Sequence, residues 1–295
     1  MEKILMNDLK EYMQRVSELI TDTLEDLLPA EDVYPESIHK LMRYTIFAGG
    51  KRIRPCLLIA ANEACGDTFG NKNAAYAGAA IEMLHTFSLI HDDLPCMDDD
   101  DFRRGKPTAH KAFNEALAVL GGDALCIYAF EILAKTDRID IIHEISKSLG
   151  TGGMIGGQVV DIESEGKNVD KATVEYIHNN KTAALIRASV TTGAMLARAS
   201  FEDMKKLSSY GNYIGLAFQV VDDILDEEST TETLGKDVGS DRAKGKATFP
   251  LVYGIENSKK YAKELIGKAH ADIKFLGKKG KILYELADYI RVRVS

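Results

Sequence analysis

The 295-residue chain has no tryptophan, only six prolines, four cysteines and few aromatic residues (7%). The prolines stand at 29, 35, 55, 95, 107 and 250, so everything from Thr108 to Phe249 is free of the residue that most disrupts helices. That favours a largely helical chain. Cys56, Cys65, Cys96 and Cys126 form no CxxC pair and no zinc-finger spacing with a histidine, which suits reduced thiols in a cytosol. Positive charge is also short: 37 Lys+Arg against 45 Asp+Glu leave a formal net charge of -8, which excludes a general attraction to nucleic acid or anionic lipid. No stretch reaches the roughly 18 uncharged apolar residues of a membrane span. Asn7 and Asp8 interrupt the N-terminal segment before the apolar region of a signal peptide could form. A cytoplasmic protein with no integral membrane segment and no nucleic-acid partner is expected. The hydrophobic 45% of the residues is enough for a sizeable core.

Leu9, Met13, Val16, Ile20, Leu24 and Leu27 are spaced by 4, 3, 4, 4 and 3, the stripe of an amphipathic helix closed by Pro29. Similar patterns predict helices over Glu36–Phe47, Pro55–Cys65, Asn73–His91, Lys111–Leu117, Ala124–Ala134, Ile139–Leu149, Lys171–Ala199 and Phe201–Asp226. Asn73–Ile90 and Ala183–Ala197 are small and apolar on several faces, as in helices with neighbours all round. Breaks are expected at Gly49-Gly50, Gly66–Asn73, Gly121-Gly122 and the long Glu228–Thr248 segment, a candidate lid. None resembles a domain linker, so a single all-α domain over 1–295 is expected.

The strongest chemical signal is HDDLPCMDDDDFRRG at 91 to 105, with six aspartates in ten positions followed by two arginines. An acid run usually marks a solvated face. This one ends an apolar helix, where so many carboxylates repel unless cations neutralise them. A second acidic cluster, QVVDDILD at 219 to 226, places Asp222 and Asp226 on one helix face with Asp223 beside them. Two such clusters on buried helices suggest carboxylate walls around a divalent metal and a diphosphate. Residues suited to hold that anion are present, most of them near glycines: Lys51, Arg52 and Arg54 in GGKRIRP, Arg103 and Arg104, Lys181 with Thr182, and Lys236 and Lys246 in the long loop. Singly, each would pass for a surface charge.

These motifs resemble the trans-isoprenyl diphosphate synthases, and among them the bacterial farnesyl diphosphate synthases. The resemblance follows the family's order through GGKRIRP, HTFSLIHDDLPCMDDDDFRRGKPT, GGDAL, GGQVVDI, KTAALI, FQVVDDILD and GKDVGSDRAKGKATFP. It implies an all-α isoprenoid synthase bundle of about ten core helices around a central cavity. It also implies a homodimer, and a cluster of about three Mg²⁺ ions held partly by substrate. Transferred residue by residue, it implies that Lys51, Arg54, His85 and Arg104 bind isopentenyl diphosphate. Arg103, Lys181, Thr182, Gln219, Lys236 and Lys246 would contact the allylic diphosphate, with Gln158 and Asp161 nearby. Asp92, Asp98 and Asp222 would hold the metals, with Asp226 further out.

Asp98 resists this transfer, because on a straight helix Asp99 would lie over Asp92 while Asp98 would point about 240° away. Pro95, in the two-residue insertion Pro95-Cys96, is expected to distort that turn and bring Asp98 into place. His85, otherwise an ordinary packing histidine, lies two turns before Asp92 on the same face. Phe87 lies about 7.5 Å before Asp92 along a helix, and the resemblance implies that an aromatic residue there, together with the Pro95-Cys96 insertion and followed by the small Ser88, stops the growing chain at the farnesyl length. A geranylgeranyl diphosphate synthase is the alternative. A terpene cyclase would carry a different second metal motif, and a non-catalytic helical subunit would lack one of the two acidic motifs. A calcium-buffering or scaffolding protein would leave the glycine-flanked basic residues unexplained.

Overall fold

The computed structural model describes residues 2–228 and 245–292. In chain order its helices are α1 (Glu2–Leu27), α2 (Glu36–Ile46), α3 (Ile53–Ala64), α4 (Lys72–Asp92), α5 (Ala109–Ala112), α6 (Glu115–Ala134), α7 (Ile139–Leu149), α8 (Met154–Ser164), α9 (Lys171–Ile177), α10 (Ala184–Leu196) and α11 (Phe201–Glu228). Further helices cover Phe249–Tyr253, Ile255–Ile273 and Lys281–Val292. The sequence patterns place neither α8 nor these last helices.

Two compact units emerge from the packing, one of Lys10–Cys56 and Gly70–Ile142, the other of Met1–Leu9, Leu57–Phe69 and His143–Ser295. In the first unit α4 packs against α6 and α2. Asn71 caps α4, its side-chain oxygen accepting from the amides of Asn73 and Ala74 at 3.0 and 3.2 Å. Nearly every face of α4 is buried, as its small apolar composition requires. On α1 the buried positions are Leu9, Tyr12, Val16, Ile20 and Leu24, followed by Leu28. Tyr12 and Leu28 replace the expected Met13 and Leu27, because Ile20 seats over Gly78 of α4 and sets the rotation of the stripe.

Two expected boundaries are corrected. No helix runs from Lys111 to Leu117: the chain breaks after α5, and Asn114 caps α6 by accepting the Leu117 amide at 2.8 Å. Gly121 and Gly122 do not break α6. They are close-approach glycines, where a Cβ would overlap Leu41 of α2 and the His91 ring of α4. Of the described helices, α6 is the one long and apolar enough by composition to cross a membrane. It nevertheless carries Asp123 and Glu131 and forms part of the core of this unit.

In the second unit α11 packs against α10 and against Ile255–Ile273. The helix expected over Lys171–Ala199 is continuous to Leu196 but contains a π-turn over His178–Ala183. A π-turn inserts one extra residue and turns the side chains after it onto a new face.

Candidate active site

The GGKRIRP segment depends on unusual backbone. Gly49 and Gly50 have φ of 97° and 131°, and Arg52 is left-handed at 49°. Lys51 is exposed, Arg54 is half-buried and Arg52 is buried. Arg104 reaches back and donates to the Gly49 carbonyl, and a Cβ on Gly50 would lie 2.7 Å from the Arg104 guanidinium carbon.

Arg103 and Arg104 belong to a two-residue antiparallel hairpin, β1 (Phe102–Arg103) with β2 (Lys106–Pro107). Arg104 and Gly105 turn it with φ of 54° and 75°, both left-handed, as a tight hairpin with strand twist requires. Burial, then the guanidinium groups of Arg54, Arg104, Arg103 and Arg52, hold the His85 imidazole well below its ordinary pKa. A neutral imidazole thus stands among cations, an arrangement ready for an anion. Ser88 is occupied locally, its hydroxyl donating to the His85 carbonyl at 2.9 Å.

The first acidic motif divides by burial. Asp93 is 3% exposed and paired to Arg103, whose Nε donates to Asp93 Oδ1 at 2.9 Å and whose Nη2 donates to Asp93 and to Asp100. Asp92 and Asp98 are half-buried. The helix ends at Asp92, and the Asp98 amide donates to the Asp92 carbonyl at 2.8 Å, so the chain folds back on itself. Asp99 takes φ 49° and is exposed. The chain thus does not continue as a straight helix past Asp92, and the turn brings the backbone of Asp98 against that of Asp92. Phe87 is 8% exposed, its ring edge-on to His91 at 5.7 Å.

The second acidic motif divides in the same way. Asp223 is 2% exposed and accepts the Phe249 amide at 2.9 Å and the Gln219 side-chain amide at 2.8 Å. His178 Nε2 lies 3.3 Å from it, with its ring stacked on Phe249 at 4.8 Å. Burial pushes the His178 pKa down to about 3, so this contact is between a neutral ring and a carboxylate. Asp222 and Asp226 are half-buried. Across the π-turn, Lys181 Nζ donates to Asp161 of α8 at 2.6 Å and Thr182 Oγ1 donates to Gln219 Oε1 at 2.6 Å. Gln158 and Lys246 are half-buried, and Gly166, just after α8, donates to the Gly245 carbonyl at 3.0 Å. Lys236 and most of the candidate lid lie outside the described residues. The contacts of His178 have no sequence signature short of knowing its neighbours.

Among the described residues no group of three or more His, Cys, Asp or Glu is arranged as a ready metal cage. The donor set nevertheless fits Mg²⁺, a hard cation that takes one or two carboxylates and completes its shell with water and substrate oxygens. Half-buried Asp92 with Asp98, and Asp222 with Asp226, are such sets.

The chain matches the Polyprenyl synthetase family over residues 35–279. It is 44% identical to geranylgeranyl pyrophosphate synthase 4 of Arabidopsis thaliana, over 97% of this chain and 78% of that one. It is 43% identical to a geranylgeranyl diphosphate synthase of Cyanophora paradoxa, over 95% and 94%. Its structure is similar to that of an FPP/GFPP synthase from Zymomonas mobilis, with a TM-score of 0.86 and 36% identity over 96% of this chain and 99% of that one. A geranyltransferase from Helicobacter pylori, complexed with magnesium and isoprenyl diphosphate, has a TM-score of 0.83 and 33% identity over 96% and 95%. With the family match spanning most of the chain and the relatives aligned over nearly all of it, the chain belongs to the polyprenyl synthetase family and is a prenyltransferase of the head-to-tail, trans type.

Proposed function

We propose that the chain acts as one synthase domain over 1–295, joining isopentenyl diphosphate to an allylic diphosphate and releasing geranylgeranyl diphosphate. The observation that carries the reaction class is the pair of acidic motifs, each with half-buried carboxylates beside a buried, paired one. The product length rests on relatives named as geranylgeranyl diphosphate synthases, at 43–44% identity over nearly the whole chain. Farnesyl diphosphate is the second reading, favoured by the buried aromatic Phe87 on the helix of the first motif. Phe87→Ala decides between them. If the ring is the floor of the chain-growth cavity, chromatography of the dephosphorylated products shows a shift from farnesyl to a longer chain. If the parent product is already geranylgeranyl, the floor lies beyond Phe87 and the product is unchanged.

Asp92, Asp98 and Asp222 would hold Mg²⁺, with Asp226 behind them, as fits a family member complexed with magnesium and isoprenyl diphosphate. Bound there, the metal supplies neutralising charge to a diphosphate leaving group. This chain's own cations add to it. Lys181, Thr182, Gln219 and Arg103, with Lys236 and Lys246, would hold the allylic diphosphate near Gln158 and Asp161. Lys51, Arg54, Arg104 and the neutral His85 would hold isopentenyl diphosphate. Departure of the allylic diphosphate leaves a carbocation that the double bond of the second substrate attacks, and the condensed cation then passes a proton to the released diphosphate, which restores a double bond. No side-chain nucleophile is needed.

Arg54→Ala is expected to raise KM chiefly for isopentenyl diphosphate and Lys181→Ala chiefly for the allylic substrate. Each loss should be roughly ten-fold or more, the worth of a charge-assisted contact. Steady-state kinetics with each substrate varied in turn would show equal effects if the two sites were not separate. A homodimer is part of the same proposal. The exposed apolar side chains Leu120 and Ile127 on α6 form a patch suited to a second copy. A cytoplasmic location fits the four free cysteines, although some relatives are named as chloroplastic.

A further inference from the structure

In GGKRIRP the side chain of Arg52 is not available to a ligand. It is 5% exposed, and its Nη1 donates to Glu82 Oε1 at 2.6 Å while Nη2 donates to the Ile46 carbonyl at 2.7 Å. Glu82 is 2% exposed in the middle of α4, among Ala79, Ala80, Ile81, Met83 and Leu84. A carboxylate there is tolerated only with a counter-charge. The same Oε1 lies 4.0 Å from Arg104 Nη2, and Arg104 in turn holds the Gly49 carbonyl. One buried carboxylate therefore stands behind both segments that carry the cations assigned to isopentenyl diphosphate: directly behind Arg52, which lies between Lys51 and Arg54 in the chain, and at the edge of Arg104. Arg52 also adopts a left-handed φ of 49°, unfavourable for a long side chain, which the two hydrogen bonds of its guanidinium oppose.

We propose that Glu82 is a positioning residue for the isopentenyl diphosphate site. It anchors Arg52, and through Arg52 the backbone that presents Lys51 and Arg54, and it restrains Arg104. Arg52 is accordingly an internal strut and makes no contact with substrate. This rests on the assignment of Lys51, Arg54 and Arg104 to isopentenyl diphosphate.

The test measures KM for each substrate, with melting temperature, for Glu82→Gln, Glu82→Asp, the double variant Arg52→Met with Glu82→Leu, and Arg54→Ala. Glu82→Gln should raise KM for isopentenyl diphosphate roughly ten-fold or more and leave the allylic KM within about two-fold, with Glu82→Asp recovering most of the loss. The double variant removes both buried charges, so it should keep the melting temperature that Glu82→Gln lowers. Its KM for isopentenyl diphosphate should still be raised, because the strut is gone. A double variant with parental stability and parental KM would overturn the proposal. So would a Glu82→Gln variant that lowers stability while changing neither KM, or both equally. If Arg54→Ala and Glu82→Gln both raise the allylic KM instead, the positioning role stands and the substrate assignment fails. If Arg54→Ala alone raises the isopentenyl diphosphate KM, the assignment stands and the positioning role fails.

Discussion

Alanine at Asp92 or at Asp222 is expected to lower kcat by about 10³-fold or more while leaving the far-ultraviolet circular dichroism of the helices unchanged. Both carboxylates are half-buried, and the charge each contributes is needed most when the diphosphate departs. Their neighbours make the control. Asp93 holds Arg103, and Asp223 holds the Phe249 amide and the Gln219 side chain, all from buried positions. Asp93→Ala and Asp223→Ala should therefore cost stability, about 1–3 kcal/mol for each buried group left unsatisfied. Urea unfolding separates the two classes: the half-buried carboxylates should leave stability unchanged and the buried ones should lower it, any rate loss in the latter following from the released Arg103 and Gln219. A near-parental rate in Asp92→Ala or in Asp222→Ala would remove that carboxylate from the chemistry.

Gly157→Ala should be strongly disruptive for a single added methyl group. Gly157 lies where α8 meets the π-turn, and a Cβ there would overlap the Lys181 backbone nitrogen and stand 2.8 Å from the Asn180 carbonyl carbon and the Lys181 Cα. These are backbone atoms and cannot rotate aside. Alanine gains about 1 kcal/mol of helix propensity over glycine, while forced overpacking costs about 1–3 kcal/mol or more. The clash therefore wins. A fall in melting temperature is expected, together with a raised allylic KM as Lys181 is pushed from Asp161. Gly267→Ala is the internal standard, since nothing lies within 4 Å of a Cβ at that helical position. It should be neutral or stabilise by about 0.4–1 kcal/mol. Equal melting temperatures for the two variants would show that α8 and the π-turn can separate without cost.

Much of this molecule is determined by short-range chemistry and is legible without coordinates. The long proline-free middle and the three-four spacing of apolar residues suffice for the helices from α1 to α11, apart from α5, α8 and the first half of α6, because helical periodicity is a local property. The acidic and basic motifs are equally plain, since charge clustering needs no neighbour to be noticed.

What only the tertiary structure decided is which member of each motif faces outward. Adjacent aspartates such as Asp222 and Asp223 differ by about 100° of helix rotation. Their environments are set by groups distant in sequence, Arg103 for Asp93 and the Phe249 amide for Asp223. The same holds for Gly121 and Gly122, which look like a helix break until Leu41 and His91 are found against them. The π-turn that sends Lys181 to Asp161 and Thr182 to Gln219 has no period in the sequence, because its one extra residue is stabilised by partners on α8 and α11. Arg52 reads like Lys51 and Arg54 as one more cation on a glycine loop. It becomes an internal strut because the fold brings Glu82, thirty residues away, within 2.6 Å of its guanidinium.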